Sequence, residues 1–173
     1  AVQVCRTIER ICGLRPAIKW VNDLMLDGKK ICGILTEASV NLETGMPDYV
    51  VLGVGVNLKA PEGGFPPELA EIAGALYPGE PPQELTRGRF AAALLESLLP
   101  VSQLCGQPEI LEEYRARCPL PGRWVTVMAA EPWQAKVVGI SDACGLIVEK
   151  PDGTQTELRS GEVSVRPDQS IWR

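Results

Sequence analysis

The stretch Lys19-Trp20-Val21-Asn22-Asp23-Leu24-Met25-Leu26-Asp27-Gly28-Lys29-Lys30-Ile31-Cys32-Gly33-Ile34-Leu35 folds back on itself. Asp-Gly accepts the positive φ angles of a two-residue hairpin loop, and short aliphatic runs flank it on both sides. The expected register sets Leu26 opposite Lys29, Met25 opposite Lys30, Leu24 opposite Ile31 and Asp23 opposite Cys32. Because side chains alternate along a strand, Asp23, Met25, Lys30 and Cys32 share one face, and Leu24, Leu26 and Ile31 share the other. The aliphatic face meets the core. Asp23 and Lys30 then project from the opposite face as a diagonal pair, about 7 Å apart at their Cα atoms. Two readings stay open for that pair: a solvated ion pair that adds little stability, or an acid and a base facing a ligand.

Outward from the hairpin the pattern is mixed helix and strand. Val4, Cys5, Ile8, Ile11 and Cys12 recur at helical spacing, and Gly13 with Pro16 ends that helix. Residues 49–56 are nearly continuous Val and Leu, which predicts a strand buried on at least one face. Within it Val50, Leu52, Val54 and Val56 form one face, whereas Gly53, Gly55 and Asn57 lie with Val51 on the other. Two alternating glycines weaken a strand, so they point either to close approach of a ligand or to a bulge or tight packing. Residues 59–83 are proline-rich and read as a surface excursion, with Pro67-Glu68 able to start a short helix through Ala70, Ile72 and Ala73. Thr86 caps a helix with a stripe of Phe90, Leu94, Leu95, Leu98 and Leu99 that ends near Pro100, and a second helix runs over residues 108–117. Pro119-Leu120-Pro121-Gly122 marks a domain boundary, giving units 1–118 and 119–173. Five short β runs follow, at 123–128, 133–140, 146–150, 154–158 and 162–166, and predict a small barrel.

Composition removes whole classes of function. The 173 residues are 45% hydrophobic and 23% charged with a net charge of −5, so the chain can bury a core and carries no basic field for nucleic acid. It contains no histidine, which excludes Ser-His-Asp and Cys-His catalysis and two-histidine zinc sites. Any chemistry runs on Lys, Arg, Asp, Glu, Asn and backbone groups. The six cysteines, Cys5, Cys12, Cys32, Cys105, Cys118 and Cys144, form no C-x-x-C pair and read as reduced core residues of a cytoplasmic protein. No run reaches the length of a membrane span, and no leader pattern opens the sequence.

Three motifs, in order, resemble those of biotin protein ligases. Lys19-Trp20-Val21-Asn22-Asp23 is similar to K-W-P-N-D, Asp27-Gly28-Lys29-Lys30-Ile31-Cys32-Gly33-Ile34-Leu35 to G-K-K-(L/I)-x-G-I-L, and Gly53-Val54-Gly55-Val56-Asn57 to G-(I/V)-G-(I/V)-N. Ser160-Gly161-Glu162-Val163-Ser164-Val165-Arg166 resembles the close of the small barrel that follows that family's catalytic domain. The resemblance covers nearly the whole chain. It implies an α+β catalytic domain related to class II tRNA synthetases, followed by an SH3-like barrel.

The resemblance also implies a two-step acyl transfer using biotin, ATP and Mg²⁺. Biotin's carboxylate attacks the α-phosphate, pyrophosphate leaves, and a lysine of a biotin carboxyl carrier domain then attacks the mixed anhydride. Such chemistry is positioning and charge stabilisation, which suits a chain without histidine. By resemblance, Lys30 and Asp23 are the catalytic pair, with Lys30 on the biotin carboxylate and adenylate phosphate. Asn22, Gly33, Gly53, Gly55, Asn57 and Arg166 line the ligand site, Asp23 and Asn57 face the metal, and Glu162 is a weaker carry-over from the barrel. Expected partners are the carrier domain of a biotin-dependent carboxylase and a second copy of the chain, without nucleic acid or membrane. Two departures stand out: Val21 occupies the usual proline position, and the family's G-R-G-R-x-G-R loop belongs before the opening helix. Arg87-Gly88-Arg89 lies at a helix start, after the other motifs, and does not replace that loop. The chain alone is therefore expected to be the inactive C-terminal part of a ligase. The alternatives are a lipoate protein ligase and a noncatalytic truncated interaction module.

Overall fold

The computed structural model describes residues 1–159 and 164–167. Helix α1 (Val2–Cys12) turns Val2, Val4, Cys5 and Ile8 into the core, and Gly13 stops it at φ 68°, where its amide reaches the Glu9 carbonyl. Four strands follow, β1 (Ala17–Lys19), β2 (Asp23–Leu26), β3 (Lys29–Val40) and β4 (Pro47–Val56), in an antiparallel sheet of order β1-β2-β3-β4. Asp27 and Gly28 both have positive φ, at 48° and 80°, as the Asp-Gly turn requires.

The hairpin register departs from expectation at one residue. Lys30 pairs with Met25 as expected, but Leu24 pairs with Cys32 and Asp23 with Gly33, so Ile31 is the extra residue of a bulge. The bulge re-aims the chain, and Leu24, Met25, Ile31 and Cys32 are all buried. The division into one aliphatic and one open face therefore fails for Met25 and Cys32.

Strand β4 is also a correction. It is the edge of its sheet, and Val50, Val51 and Leu52 remain 56%, 51% and 39% exposed because no layer covers them. Only Val54 and Val56, toward its end, pack against the core.

Residues 59–83 contain turns rather than the expected short helix. Backbone pairing explains this, since Lys30 donates to the Ile72 carbonyl and accepts from Gly74, and Leu76 donates to the Asn57 carbonyl. Residues 72–77 are thus bound to the hairpin and to the end of β4, while residues 66–73 form turns closed by the Ala70 amide on the Pro66 carbonyl and the Ala73 amide on the Leu69 carbonyl. At Gly74 a Cβ would lie 2.8 Å from the Lys29 Cβ, so glycine is needed for the approach.

Helix α2 (Arg87–Leu98) is capped by the Thr86 hydroxyl, which accepts from the Arg89 amide. Phe90 and Ala93 are its buried residues, while Leu95 and Leu99 are exposed, so the apolar stripe is narrower than its sequence spacing implies. After Pro100 come the short α3 (Val101–Leu104) and then α4 (Pro108–Arg117).

A second antiparallel sheet follows, made of β5 (Trp124–Met128), β6 (Trp133–Ile140), β7 (Leu146–Glu149), β8 (Gln155–Leu158) and β9 (Ser164–Pro167), in the order β8-β7-β6-β5-β9. Val125, Val127, Ala135, Val137, Leu146 and Val148 alternate into its interior. Of the six free cysteines, Cys5, Cys32 and Cys118 are core residues, but Cys105 and Cys144 are exposed, contrary to the reading of all six as buried. Among the described residues no helix is long and apolar enough to cross a membrane.

Helix α4 ties the sheets together. Arg117, with its side chain only 8% exposed, donates to Glu9 at 2.8 Å and to Glu113 at 2.6 Å. Tyr114 donates its hydroxyl to the Val21 carbonyl, and Arg115 forks onto the Ile140 carbonyl and the Asp142 carboxylate in the second sheet.

Candidate functional site

The hairpin bulge and the β3–β4 pairing build the site. With Asp23 opposite Gly33, the Lys30 ammonium reaches back over Gly33 and meets the Asp23 carboxylate at 2.5 Å. A Cβ on Gly33 would sit 3.2 Å from the Lys30 Cε and 3.3 Å from its Nζ. With a side chain at that position the end of Lys30 would have to shift by a few tenths of an ångström. Lys19 stands 3.9 Å from the same carboxylate, so Asp23 lies between two ammonium groups. Lys30 is 48% exposed and Asp23 21%, which leaves the cation open on one side.

The pair borders a shallow cavity of about 390 Å³ lined by Asn22, Asp23, Lys30, Gly33, Ile34, Leu35, Gly53, Val54 and Gly55. Gly55 pairs with Gly33, and Gly53 with Leu35, so three glycines bare adjoining backbone. Added Cβ atoms at Gly53 and Gly55 would meet the protein only at ordinary contact distances, 3.7 Å and 3.9 Å. Protein packing does not demand glycine at these positions. They leave that stretch of the sheet surface open beside Lys30.

Asn22 is locked by its own strand neighbour. Its carbonyl accepts from the Ile34 amide at 3.1 Å, and its side-chain amide donates back to the Ile34 carbonyl. Asn57 does not line the cavity. It lies just past β4 and donates its side-chain amide to the Gly74 carbonyl at 2.8 Å, while Gly74 in turn donates to the Lys30 carbonyl. Asn57 thus fastens the 59–83 segment beside the Lys30 backbone. Arg166 is opposite Thr126 in β9, its side chain lies outside the described residues, and so does the whole of Glu162.

Among the described residues no group of three or more His, Cys, Asp or Glu side chains could hold a metal. One carboxylate is nonetheless compatible with Mg²⁺, which commonly binds through one or two carboxylates and the substrate's own phosphates. Cys32, two residues after Lys30 in the chain, is no nucleophile, because burial pushes its thiol up to about 12.

Two features of the site escaped the sequence reading. Buried Trp20 donates its indole N–H to the Cys144 carbonyl at 2.9 Å, and Tyr114 holds the Val21 carbonyl at 2.9 Å. The signal for the first was general, since a buried indole needs an acceptor. Nothing in the spacing identified which one.

Residues 122–166 match the family model described as the biotin protein ligase C terminal domain. The biotin--[acetyl-CoA-carboxylase] ligase of Paracoccus denitrificans is 33% identical over 162 residues, an alignment covering 83% of this chain and 62% of that protein. The bifunctional ligase/repressor BirA of Bacillus subtilis is 41% identical over 76 residues, covering 44% of this chain and 23% of that protein. The chain spans less than two thirds of both relatives. Among solved structures, the apo biotin protein ligase of Aquifex aeolicus superposes with a TM-score of 0.77 at 22% identity, over 96% of this chain and 72% of that one. The same enzyme in complex with biotin and ATP gives a TM-score of 0.74. The chain is therefore similar to the biotin protein ligases: it shares their α+β fold along nearly its whole length, and its residues 122–166 match the model of their C-terminal domain.

Proposed function

We propose that the Lys30 cavity is the biotin and nucleotide site of an ATP-dependent ligase that makes biotinyl-adenylate and passes biotin to a lysine of a carboxylase carrier domain. One observation carries this reading: a half-open ammonium, set by Asp23, at the edge of a cavity where Gly33, Gly53 and Gly55 leave the sheet without side chains. The relatives' names agree with it, as does the neighbour that holds biotin and ATP.

In this reading biotin lies over Gly53 and Gly55 with its carboxylate toward Lys30. A carboxylate oxygen attacks the α-phosphorus, the bond to the bridging oxygen breaks, and pyrophosphate leaves. Lys30 stabilises the negative charge that develops on the non-bridging oxygens, as a fixed cation in a partly desolvated site does. The acceptor amine then attacks the carbonyl of the mixed anhydride and AMP leaves. Asp23, held by Lys30 and Lys19, orients that amine and takes up its proton. Asp23, with the nucleotide phosphates, would hold Mg²⁺, which screens phosphate charge when bound. Asn57 acts here through the 59–83 segment it fastens, its side-chain amide on the Gly74 carbonyl.

Calorimetric titration of the chain with biotinyl-adenylate tests the reading. Lys30→Ala removes a charge-assisted contact, so affinity is expected to fall about 10- to 100-fold with the fold retained. A folded wild-type chain that does not bind the adenylate would overturn the assignment. Stronger competition by lipoyl-adenylate would move it to the other acid.

A further inference from the structure

The Asn22-Asp23 segment is held from outside its own sheet. The β6–β7 turn of the second sheet is built around Ser141: its amide donates to the Gly145 carbonyl, its hydroxyl accepts from the Gly145 amide, and its hydroxyl donates to Glu157 at 2.5 Å. Gly145 leaves the room that the Glu157 carboxylate fills, since a Cβ there would overlap it. At Cys144 the chain takes a positive φ of 63°, with its amide bonded to the Ser141 carbonyl, and its own carbonyl meets the Trp20 indole. A non-glycine residue in that conformation is uncommon, and it persists where the surroundings fix it. Trp20 is 4% exposed, so its N–H has no access to water as a substitute.

From Trp20 the path to the site is two residues. The next carbonyl, Val21, is held by Tyr114, Asn22 is clamped on both sides of Ile34, and Asp23 grips Lys30. A small rotation at Trp20 is thus passed to Asn22 and Asp23 with little slack. We propose that the 141–145 turn of the second sheet acts as a latch on the Lys30 cavity, with Trp20 as a positioning residue that sets Asn22 and Asp23 through its hydrogen bond to Cys144. The proposal rests on the reading of the cavity as the adenylate site for its functional consequence, and on the hydrogen bonds alone for the coupling.

The test uses the ¹⁵N-labelled full chain as wild type, Trp20→Phe and Ser141→Ala. Trp20→Phe keeps the ring and deletes the donor, whereas Ser141→Ala loosens the turn without touching the first sheet. The Asn22 side-chain amide resonances report the site, and those of exposed Gln107, which bonds to the Gln103 carbonyl of α3, serve as control. Both variants are expected to shift the Asn22 pair, leave Gln107 in place, and weaken biotinyl-adenylate binding about 3- to 10-fold, the size of one neutral hydrogen bond. An unmoved Asn22 pair in either folded variant overturns the latch, as does wild-type affinity in the variants where the wild type binds. If the wild type does not bind the adenylate, the ligase reading fails and the latch is decided by the Asn22 resonances alone. Should Trp20→Phe not fold, Ser141→Ala decides in the same terms.

Discussion

Gly33 is the residue on which the site's charge geometry turns. A methyl group there would press on the last two atoms of the Lys30 side chain, and those atoms can swing into solvent. Gly33→Ala is therefore expected to cost little stability, within about 0.5 kcal/mol as for other surface changes, yet to separate Lys30 from Asp23. Adenylate affinity should drop several-fold while the thermal midpoint barely moves, and calorimetry with a melting curve reads both. An equal loss of stability and affinity would show that Gly33 serves the strand and not the cation. The sequence alone already paired Asp23 with Lys30 and singled out Gly53 and Gly55, because charge and bareness are legible in residue type, whereas Gly33 entered through the motif resemblance. The bulge at Ile31 was not legible, since a one-residue slip changes no residue type and is decided by what the hairpin packs against.

The elements were read well where a local signal ended them. Thr86 and Gly13 bound their helices as capping chemistry predicts. Thr86→Ala should cost about 1 kcal/mol, measured by urea denaturation, because the Arg89 amide loses its acceptor. Burial was read poorly, since a strand of Val and Leu looks buried in sequence whether it lies at the centre or the edge, and β4 lies at the edge. The α1–α4 contact was invisible for the same reason: Arg117 and Glu9 are far apart in sequence. Its electrostatics carry a pH prediction. The Arg117 hydrogen bond holds Glu9 below the usual carboxylate range, and at Glu113 the arginine bonds outweigh the opposing effect of burial. Carboxyls depressed in the folded state stabilise it fully above their unfolded values and lose that contribution as pH falls through the folded ones. Stability should thus be level near neutrality and decline below about pH 4. Arg117→Leu should cost about 2 kcal/mol or more near pH 7, because it removes the buried cation that Glu9 and Glu113 share and leaves them only Arg15 and Arg6, and it should make the acid decline shallower.

At the scale of the whole molecule the question is whether the two sheets unfold together. The Pro119-Leu120-Pro121-Gly122 run looks like a linker by composition, but Leu120 is fully buried and the Gly122 amide bonds to the Val137 carbonyl at 2.7 Å. One cluster of buried apolar side chains runs from Val2 to Leu158 across that junction. Helix α4 faces both ways across it, with Tyr114 on the Val21 carbonyl and Arg115 on the Ile140 carbonyl. Contacts of this kind make the stability of each sheet depend on the other. Tryptophan fluorescence, which reports buried Trp20 at the junction together with Trp124 and Trp133 in the second sheet, and far-UV circular dichroism should give coincident urea transitions. Tyr114→Phe deletes one buried hydrogen bond and should lower that shared midpoint by the equivalent of about 1 kcal/mol, without splitting it. Two separated transitions in the wild type would instead mean that residues 1–118 and 119–173 fold as independent units, and that the Trp20, Tyr114 and Arg115 hydrogen bonds do not couple their stabilities.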